Sequence, residues 1–291
     1  MAKTHDFDGI APVEYGESLY RPTGVLPLRE TPNPDDASQI EDYCTYGVVG
    51  FAEWLTPEEV ASARQAILDW VVKGSEHPEE IPEHFCLQFE HLADRNLTSL
   101  PPEERQDHVR KLMTFVRWEP RMMALAQHPK ILEFARACLD AEPELFQDMA
   151  LLKPPHIGRE KPWHQDHAYF NVPKGTPVLG IWIALDDATL DNGCMHFKPG
   201  RHREGPLPHF SVRDWQLCDA DMEGDDVVIA APLPCGGALV FDGLTPHGTP
   251  TNHSPTRRRA LQFHYIPKGT PRTTTEDRME IFGAGAHGAT C

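Results

Sequence analysis

The tripeptide His164-Gln165-Asp166, flanked by Trp163 and His167, holds the densest chemistry in the chain. In extended backbone, residues two apart point to the same side. The His164 imidazole and the Asp166 carboxylate can therefore converge on one ion. A third ligand must come from elsewhere, and His247 in the run FDGLTPHGT is the best candidate, at the far end of an expected strand. Two imidazoles and one carboxylate on one face of an ion leave its other positions open. That is the ligand set of non-haem Fe(II) oxygenases, in which a co-substrate and O2 must also bind. A His-x-Asp tripeptide alone is weak, since it arises often by chance, and a surface His–Asp pair is its plainer explanation. His167, His196, His202, His209, His253 and His264 are rival ligands. Each reads better as a surface polar group or a partner standing behind a ligand.

Three companions raise the set above chance. Arg258 follows His247 by eleven residues. A dicarboxylate that chelates iron at one end needs a cation at the other, and a guanidinium offers a bidentate fork. Strand alternation chooses among three adjacent arginines. Leu261, Phe263 and Tyr265 share a face with Arg257 and Arg259, while Ala260, Gln262 and His264 share the other with Arg258. If the apolar face packs on the core, Arg258 points into a polar cavity. Three solvated arginines at a strand start is the bland alternative. Thr249, two residues past His247, places a hydroxyl on the same side. Trp182 in VLGIWIAL stands between Gly180 and Ala184, opposite the apolar Leu179, Ile181, Ile183 and Leu185. Such a face suits a cavity wall, although a core Trp is the commoner fate.

These residues need a scaffold of short strands. From about Leu145, apolar runs alternate with turn residues (LFQDMALLK, VLGIWIAL, CMHFK, GALVFD, RALQFHYI), and Asn192-Gly193 carries a hairpin signal. The spacing predicts an antiparallel sandwich or barrel, and a jelly roll fits it. The first half is helical. Thr56, Pro57 and Glu59 form a capping box ahead of Val60, Ala63, Ile67 and Val71 at helical spacing. A second helical stretch, Arg121 to Leu139, is broken near His128 by Pro129. Tyr43 to Phe51 reads as a short strand. Residues 1–36 read as irregular chain, and residues 73–108 as a polar excursion that could cover a site mouth but is more simply surface. The domain expectation is an irregular extension over 1–40, one domain over 41–267 and a tail over 268–291.

Lys and Arg number 27 against 44 Asp and Glu, a formal net charge of −17 over 291 residues. This argues against a nucleic-acid binder, which needs a basic face, and more weakly against an anionic membrane surface. The N-terminal residues lack an apolar leader core, and no run reaches the roughly 18 apolar residues of a membrane span. Seven Cys are dispersed with no C-x-x-C pair. They read as reduced thiols of a cytoplasmic protein.

The whole set resembles the phytanoyl-CoA dioxygenase family of Fe(II)/2-oxoglutarate-dependent oxygenases, over about Tyr43 to Pro267. The matching pieces are MALLKPP (149–155), HQD (164–166), GIWIALDDATLDNGCMHFKPGRH (180–202), GGALVFDGLTPHGT (236–249) and RRA (258–260). The resemblance implies a mainly β fold with flanking helices around a double-stranded β-helix, the jelly-roll or cupin-like core. It assigns Fe(II) to His164, Asp166 and His247. It places 2-oxoglutarate against Arg258 and Thr249, with Trp182, Met149 and Gln165 lining the pocket and Lys111 near a further co-substrate contact. Asp166 itself matters, because a Gly or Ala there would free a position for chloride, as in related halogenases. Its carboxylate favours hydroxylation, with O2 consumed and succinate and CO2 released.

His167, Tyr169, Phe170 and Asn171 are the candidate substrate contacts, with the loop from Arg203 to Pro234 as a second source. That loop carries Asp214, Asp219, Asp221, Glu223, Asp225 and Asp226. It reads as a solvated acidic loop, or more sharply as a lid that repels anions. On that charge argument the substrate is a small neutral or cationic metabolite, an amino acid derivative or a natural-product intermediate, in preference to an acyl-CoA. Two alternatives stand beside this. One is the same cofactor class with desaturation, cyclisation or epimerisation as outcome. The other is a metal-binding cupin-like protein without oxygenase activity. Oligomeric state is left open.

Overall fold

The strand Arg258–Pro267 shows why this sequence makes a sandwich. Its side chains alternate: Leu261, Phe263 and Tyr265 join the main apolar core, while Arg258, Gln262 and His264 are buried on the opposite face. A strand buried on both sides needs a layer over each. The computed structural model describes residues 15–90, 96–224 and 227–291 and supplies both layers.

One layer is helical. Pro57–Glu76 starts at the expected capping box, with Thr56 Oγ1 accepting from the Glu59 amide and Glu59 accepting from the Thr56 amide. Pro120–Ala126 and Pro129–Leu139 are separated at His128, which caps the second of them. Val60, Ala63, Ile67, Val71, Ile131, Phe134 and Ala135 from these helices pack against Ile181, Ile183, Val240, Leu261 and Phe263 of the larger sheet.

That sheet has eight strands in the order Leu28–Arg29, Val48–Phe51, Ala238–Asp242, Leu179–Ala184, Arg258–Pro267, Pro143–Lys153, Val109–Met113 and Cys86–Phe89. The second sheet has five: Gly24–Val25, Ile229–Ala231, Met195–Phe197, His247–Thr249 and Lys161–His164. A second apolar cluster, with Trp182, Ala184, Phe197, Leu239 and Phe241, fills part of the space between the sheets. The two facing sheets with helices outside are the expected jelly-roll architecture, and they do not close into one barrel.

Several local expectations are corrected. Tyr43 to Tyr46 is the last turn of a helix, Ala37–Tyr46, and not strand. Asp36 caps it through the Ser38 amide, and Gly47 ends it at φ 73°, a left-handed conformation that glycine adopts without strain. Only Val48–Phe51 is strand. Residues 24–29, expected to be irregular, add a short parallel strand to each sheet. Cys86–Phe89, inside the expected surface excursion, pairs with Val109–Met113 at the sheet edge. Asn192-Gly193 makes a turn with Asn192 Oδ1 accepting from the Thr189 amide, but the strands on either side enter different sheets. Cys218 and Cys291 form a disulfide across 73 residues of sequence, whereas Cys44, Cys86, Cys138, Cys194 and Cys235 are free. Spacing could not reveal a pair that only the fold brings together. Residues 1–14, 91–95 and the loop's Asp225 and Asp226 lie outside the described residues.

Phe263 is fully buried between the larger sheet and the helices. Phe263→Ala is expected to lower the unfolding free energy by about 3–5 kcal/mol, read from a denaturant midpoint at unchanged slope.

Candidate metal centre

The site is made by register. His247 lies directly opposite His164 in the antiparallel pair of the smaller sheet. Opposed residues bring their side chains to one face, and the two imidazole centroids are 4.3 Å apart. After His164 the chain stays extended through Gln165 (φ −108°, ψ 128°) and then turns into the short helix Asp166–Tyr169. Asp166 thus returns to the side of His164. Asp166 Oδ1 is 3.2 Å from His164 Nε2 and 3.6 Å from His247 Nε2. All three residues are buried, and their ligand atoms lie within 4.8 Å of one another.

Both imidazoles are held in the form a metal requires. His164 Nδ1 donates to Pro162 O at 2.7 Å, and His247 Nδ1 donates to Thr245 O at 2.9 Å. The two Nε2 lone pairs are therefore left facing the Asp166 oxygen. Burial, and then His164, push the His247 imidazole down to about 3, so it is neutral. Burial alone would raise the Asp166 carboxyl. The facing imidazoles of His247 and His264 and the hydrogen bond that His264 donates outweigh it, holding Asp166 well below the usual carboxylate range.

A second set of groups fixes Asp166 from behind. Gln262 Nε2 and His264 Nε2 each donate to Asp166 Oδ2 at 2.8 Å. Oδ1 is thereby left for the ion. Gln262 and His264 are the cavity-facing residues of the strand that carries Arg258. Alternation put them on that face, but nothing in the sequence aimed them at Asp166. His247 is packed from one side by Phe241, with ring centroids 4.8 Å apart. Phe241 in turn occupies the space where a Gly180 side chain would be, since a Cβ there would come within 2.5 Å of its ring.

The three ligands open onto a cavity of about 850 Å³ between the sheets. Arg258, Thr249, Trp182 and Met149 line it. Arg258 is buried, its guanidinium carbon 5.1 Å from the Trp182 ring centroid, and its Nε and one terminal nitrogen have no partner. Burial lowers its pKa to about 10, which leaves it charged at neutral pH. Arg257 and Arg259 are turned away and paired, with Asp107 and Asp186 respectively. Orphaned, buried guanidinium nitrogens beside a His/Asp/His cluster are the donor set a chelating dicarboxylate needs.

The sequence missed Lys153. It pairs across the sheet with Arg258 and donates its Nζ to Thr249 Oγ1 at 2.9 Å and to Pro250 O. With its oxygen accepting from Lys153, the Thr249 hydroxyl is free to donate its own proton into the cavity.

Other expected contacts are not brought together. The Gln165 side chain points away from the cavity, donating to Gly205 O and Leu244 O and accepting from the Leu207 amide. The extended backbone that aligns His164 with Asp166 necessarily faces Gln165 the other way. Tyr169 and Phe170 line the cavity. His167 does not, because its ring packs on Phe282. Asn171 does not either, and its amide reaches Thr275 Oγ1. The helix Thr275–Phe282, in the expected tail, supplies Thr275 and Arg278 to the lining.

The acidity of the chain stops at this cavity. Eight cationic side chains line it against three carboxylates, Glu160, Asp166 and Asp214. Of the loop's acids, Asp214 is bound to Lys161 at 2.8 Å and Asp219 to Arg213. Asp221 and Glu223 are exposed. The expected repulsion of anions by this loop therefore does not extend to the site.

A jelly roll with two His and one carboxylate beside an unpaired arginine defines the class of mononuclear metal centres built for a chelating co-substrate. Residues 43–260 match the family Phytanoyl-CoA dioxygenase (PhyH), and the chain belongs to that family. It is 30% identical over 157 residues to phytanoyl-CoA dioxygenase domain-containing protein 1 of Danio rerio, covering 51% of this chain and 54% of that protein. The chain spans about half the length of the curated relatives it matches. Among solved structures it resembles EvdO2 from Micromonospora carbonacea var. aurantiaca, at 29% identity and TM-score 0.59, covering 84% of this chain and 96% of that one. It shares the fold of EctD from S. alaskensis with bound Fe, at 20% identity and TM-score 0.65, covering 86% and 83% of the two chains. Among the described residues no helix is long and apolar enough to cross a membrane.

Gln262→Leu removes one of the two donors that fix Asp166 Oδ2. Anaerobic Fe(II) titration is expected to show affinity lowered by roughly 10–100-fold, with the unfolding midpoint of the metal-free protein little changed.

Proposed function

We propose that the chain is an Fe(II)- and 2-oxoglutarate-dependent dioxygenase that hydroxylates a C–H bond of a small organic metabolite and releases succinate and CO2. The observation that carries this reading is the shared cavity. The His164/Asp166/His247 cluster and the unpartnered, buried Arg258 guanidinium open onto the same space. EctD, which has this fold, has been solved with 2-oxoglutarate and 5-hydroxyectoine, and EvdO2 with 2-oxoglutarate, which supports the co-substrate assignment.

Bound Fe(II) and 2-oxoglutarate would supply the oxidising power, drawn from O2 as the keto acid loses CO2. The protein's part is binding, orientation and exclusion of water. His164 and His247 present their Nε2 atoms, and Asp166 an ionised oxygen already oriented by Gln262 and His264. Arg258 receives the C5 carboxylate of 2-oxoglutarate through its two free nitrogens, with Trp182 against the guanidinium and the Thr249 hydroxyl as a further donor. Lys153 behind Thr249 keeps that hydroxyl turned toward the carboxylate. Met149 and Leu151, with Met195 from the facing sheet, make the walls beside the triad apolar. No side chain needs to act as a general base.

The direct test is the visible absorption band that forms when 2-oxoglutarate chelates Fe(II) in the absence of O2. The wild-type protein is expected to develop it. Asp166→Ala is expected to lose it with the metal. Arg258→Ala is expected to need at least about tenfold more 2-oxoglutarate to reach half of it. A protein that binds Fe(II) without this band would be the metal-binding cupin-like protein without oxygenase activity.

Lys111 also lines the cavity. Burial, and then the nearby charges of Lys161 and Arg110, lower its amine to about 8 against weaker opposition from Asp214 and Cys86. It is charged below that pH and neutral above it. Affinity for 2-oxoglutarate, a dianion, is therefore expected to fall as pH rises through about 8, and Lys111→Met is expected to flatten that step in the band titration.

A further inference from the structure

The lining cations divide into those already matched by a carboxylate and those not. Lys161 is matched by Asp214, and Arg213 by Glu160 and Asp219. Arg110 and Arg159 both face Glu90 at 3.6–3.7 Å. Arg258 has no carboxylate partner among the described residues, and the proposed co-substrate answers it. Arg278 is left. Its terminal nitrogen donates to Tyr169 O at 2.8 Å, no carboxylate among the described residues pairs with it, and its Nε is buried without a partner among them. A buried N–H on a charged group is costly to leave unmade, and a bound anion would satisfy it.

Its position relates it to the reaction. Arg278 lines the same cavity as the triad. It is anchored on Tyr169, whose ring lies 5.6 Å from that of the metal ligand His164. It comes from the helix Thr275–Phe282, outside the residues 43–260 that match the family. The co-substrate uses groups within those residues, so a cation added from outside them is free to serve whatever the site acts upon. The anion must also fit between walls that carry a surplus of positive charge. A neutral or cationic substrate would leave that surplus unanswered.

We propose that the substrate is a small organic acid, bearing a carboxylate or a phosphate ester, and that Arg278 on the C-terminal helix binds its anionic group. This rests on the dioxygenase reading above and narrows it to a substrate class.

The test is calorimetric titration of the anaerobic Fe(II)- and 2-oxoglutarate-loaded protein with matched pairs: small carboxylic acids against their primary amides, and phosphate monoesters against their alcohols. Succinate release under O2 is measured for each. Binding and succinate release are expected from the charged member of a pair and not from the neutral one, and which kind of pair responds identifies the anion. Arg278→Gln is expected to weaken the responding anion by roughly tenfold or more, and Arg278→Lys by less. The 2-oxoglutarate band is recorded in parallel. Its failure would sink the dioxygenase reading, while the calorimetry would still report on anion binding. Neutral members binding as tightly as acids would overturn the proposal. So would silence from every acid in a protein that forms the band, or an Arg278→Gln protein with undiminished anion affinity.

Discussion

The centre depends on one cross-strand pairing, His247 opposite His164 in a short antiparallel ladder. A strand that slips by one residue turns every side chain to its other face. Here a slip would withdraw one imidazole, send Gly248 in its place and move Thr249 off the cavity. The side chains around this pairing are held from several directions. Thr245 O and Pro162 O hold the two imidazoles through their Nδ1 protons. Gln262 and His264 reach across from the larger sheet to Asp166. The two His ligands thus come from one sheet and Asp166 from the turn that follows it, and the groups that orient the carboxylate come from the other sheet. The centre is a joint between sheets as much as a feature of either.

The electrostatic arrangement follows from the same geometry. A chain carrying −17 encloses a cavity whose charged lining residues are mostly basic. The contrast is possible because surface carboxylates are screened within about 10 Å in salt solution, while buried charges on a shared wall act on each other directly. Acids that approach the cavity are consumed in ion pairs, as Asp214 is with Lys161. Total charge therefore described solubility and said little about the site.

Much of the centre was legible in the sequence because it depends on alternation. The period of two placed Arg258, Gln262 and His264 on one face and Leu261, Phe263 and Tyr265 on the other, and it selected Arg258 over its neighbours. The capping box at Thr56 and the break at Pro129 were equally local signals. What the sequence hid is what only the third dimension joins. The Lys153–Thr249 contact crosses 96 residues and the His264–Asp166 contact 98. Gln165 was misplaced by the family pattern although the alternation that aligned its neighbours already turned it outward. His167 and Asn171 were misplaced because the chain leaves extended geometry at Asp166, and alternation stops informing once it does. Arg278 was invisible because nothing marks a surface-type helix as one that folds back over a cavity.

Gly180 has a consequence for how the centre responds to its surroundings. The Phe241 ring rests on the bare backbone of Gly180 and supports the His247 imidazole on its other side. The lateral position of a metal ligand is therefore gauged against a glycine by the thickness of one aromatic ring. Loosening of the packing around Phe241 would shift His247, and an ion bound through His247 would resist that shift in return. Metal occupancy and the tightness of this packing would in this way be linked, so the metal-free protein is expected to be softer around Phe241.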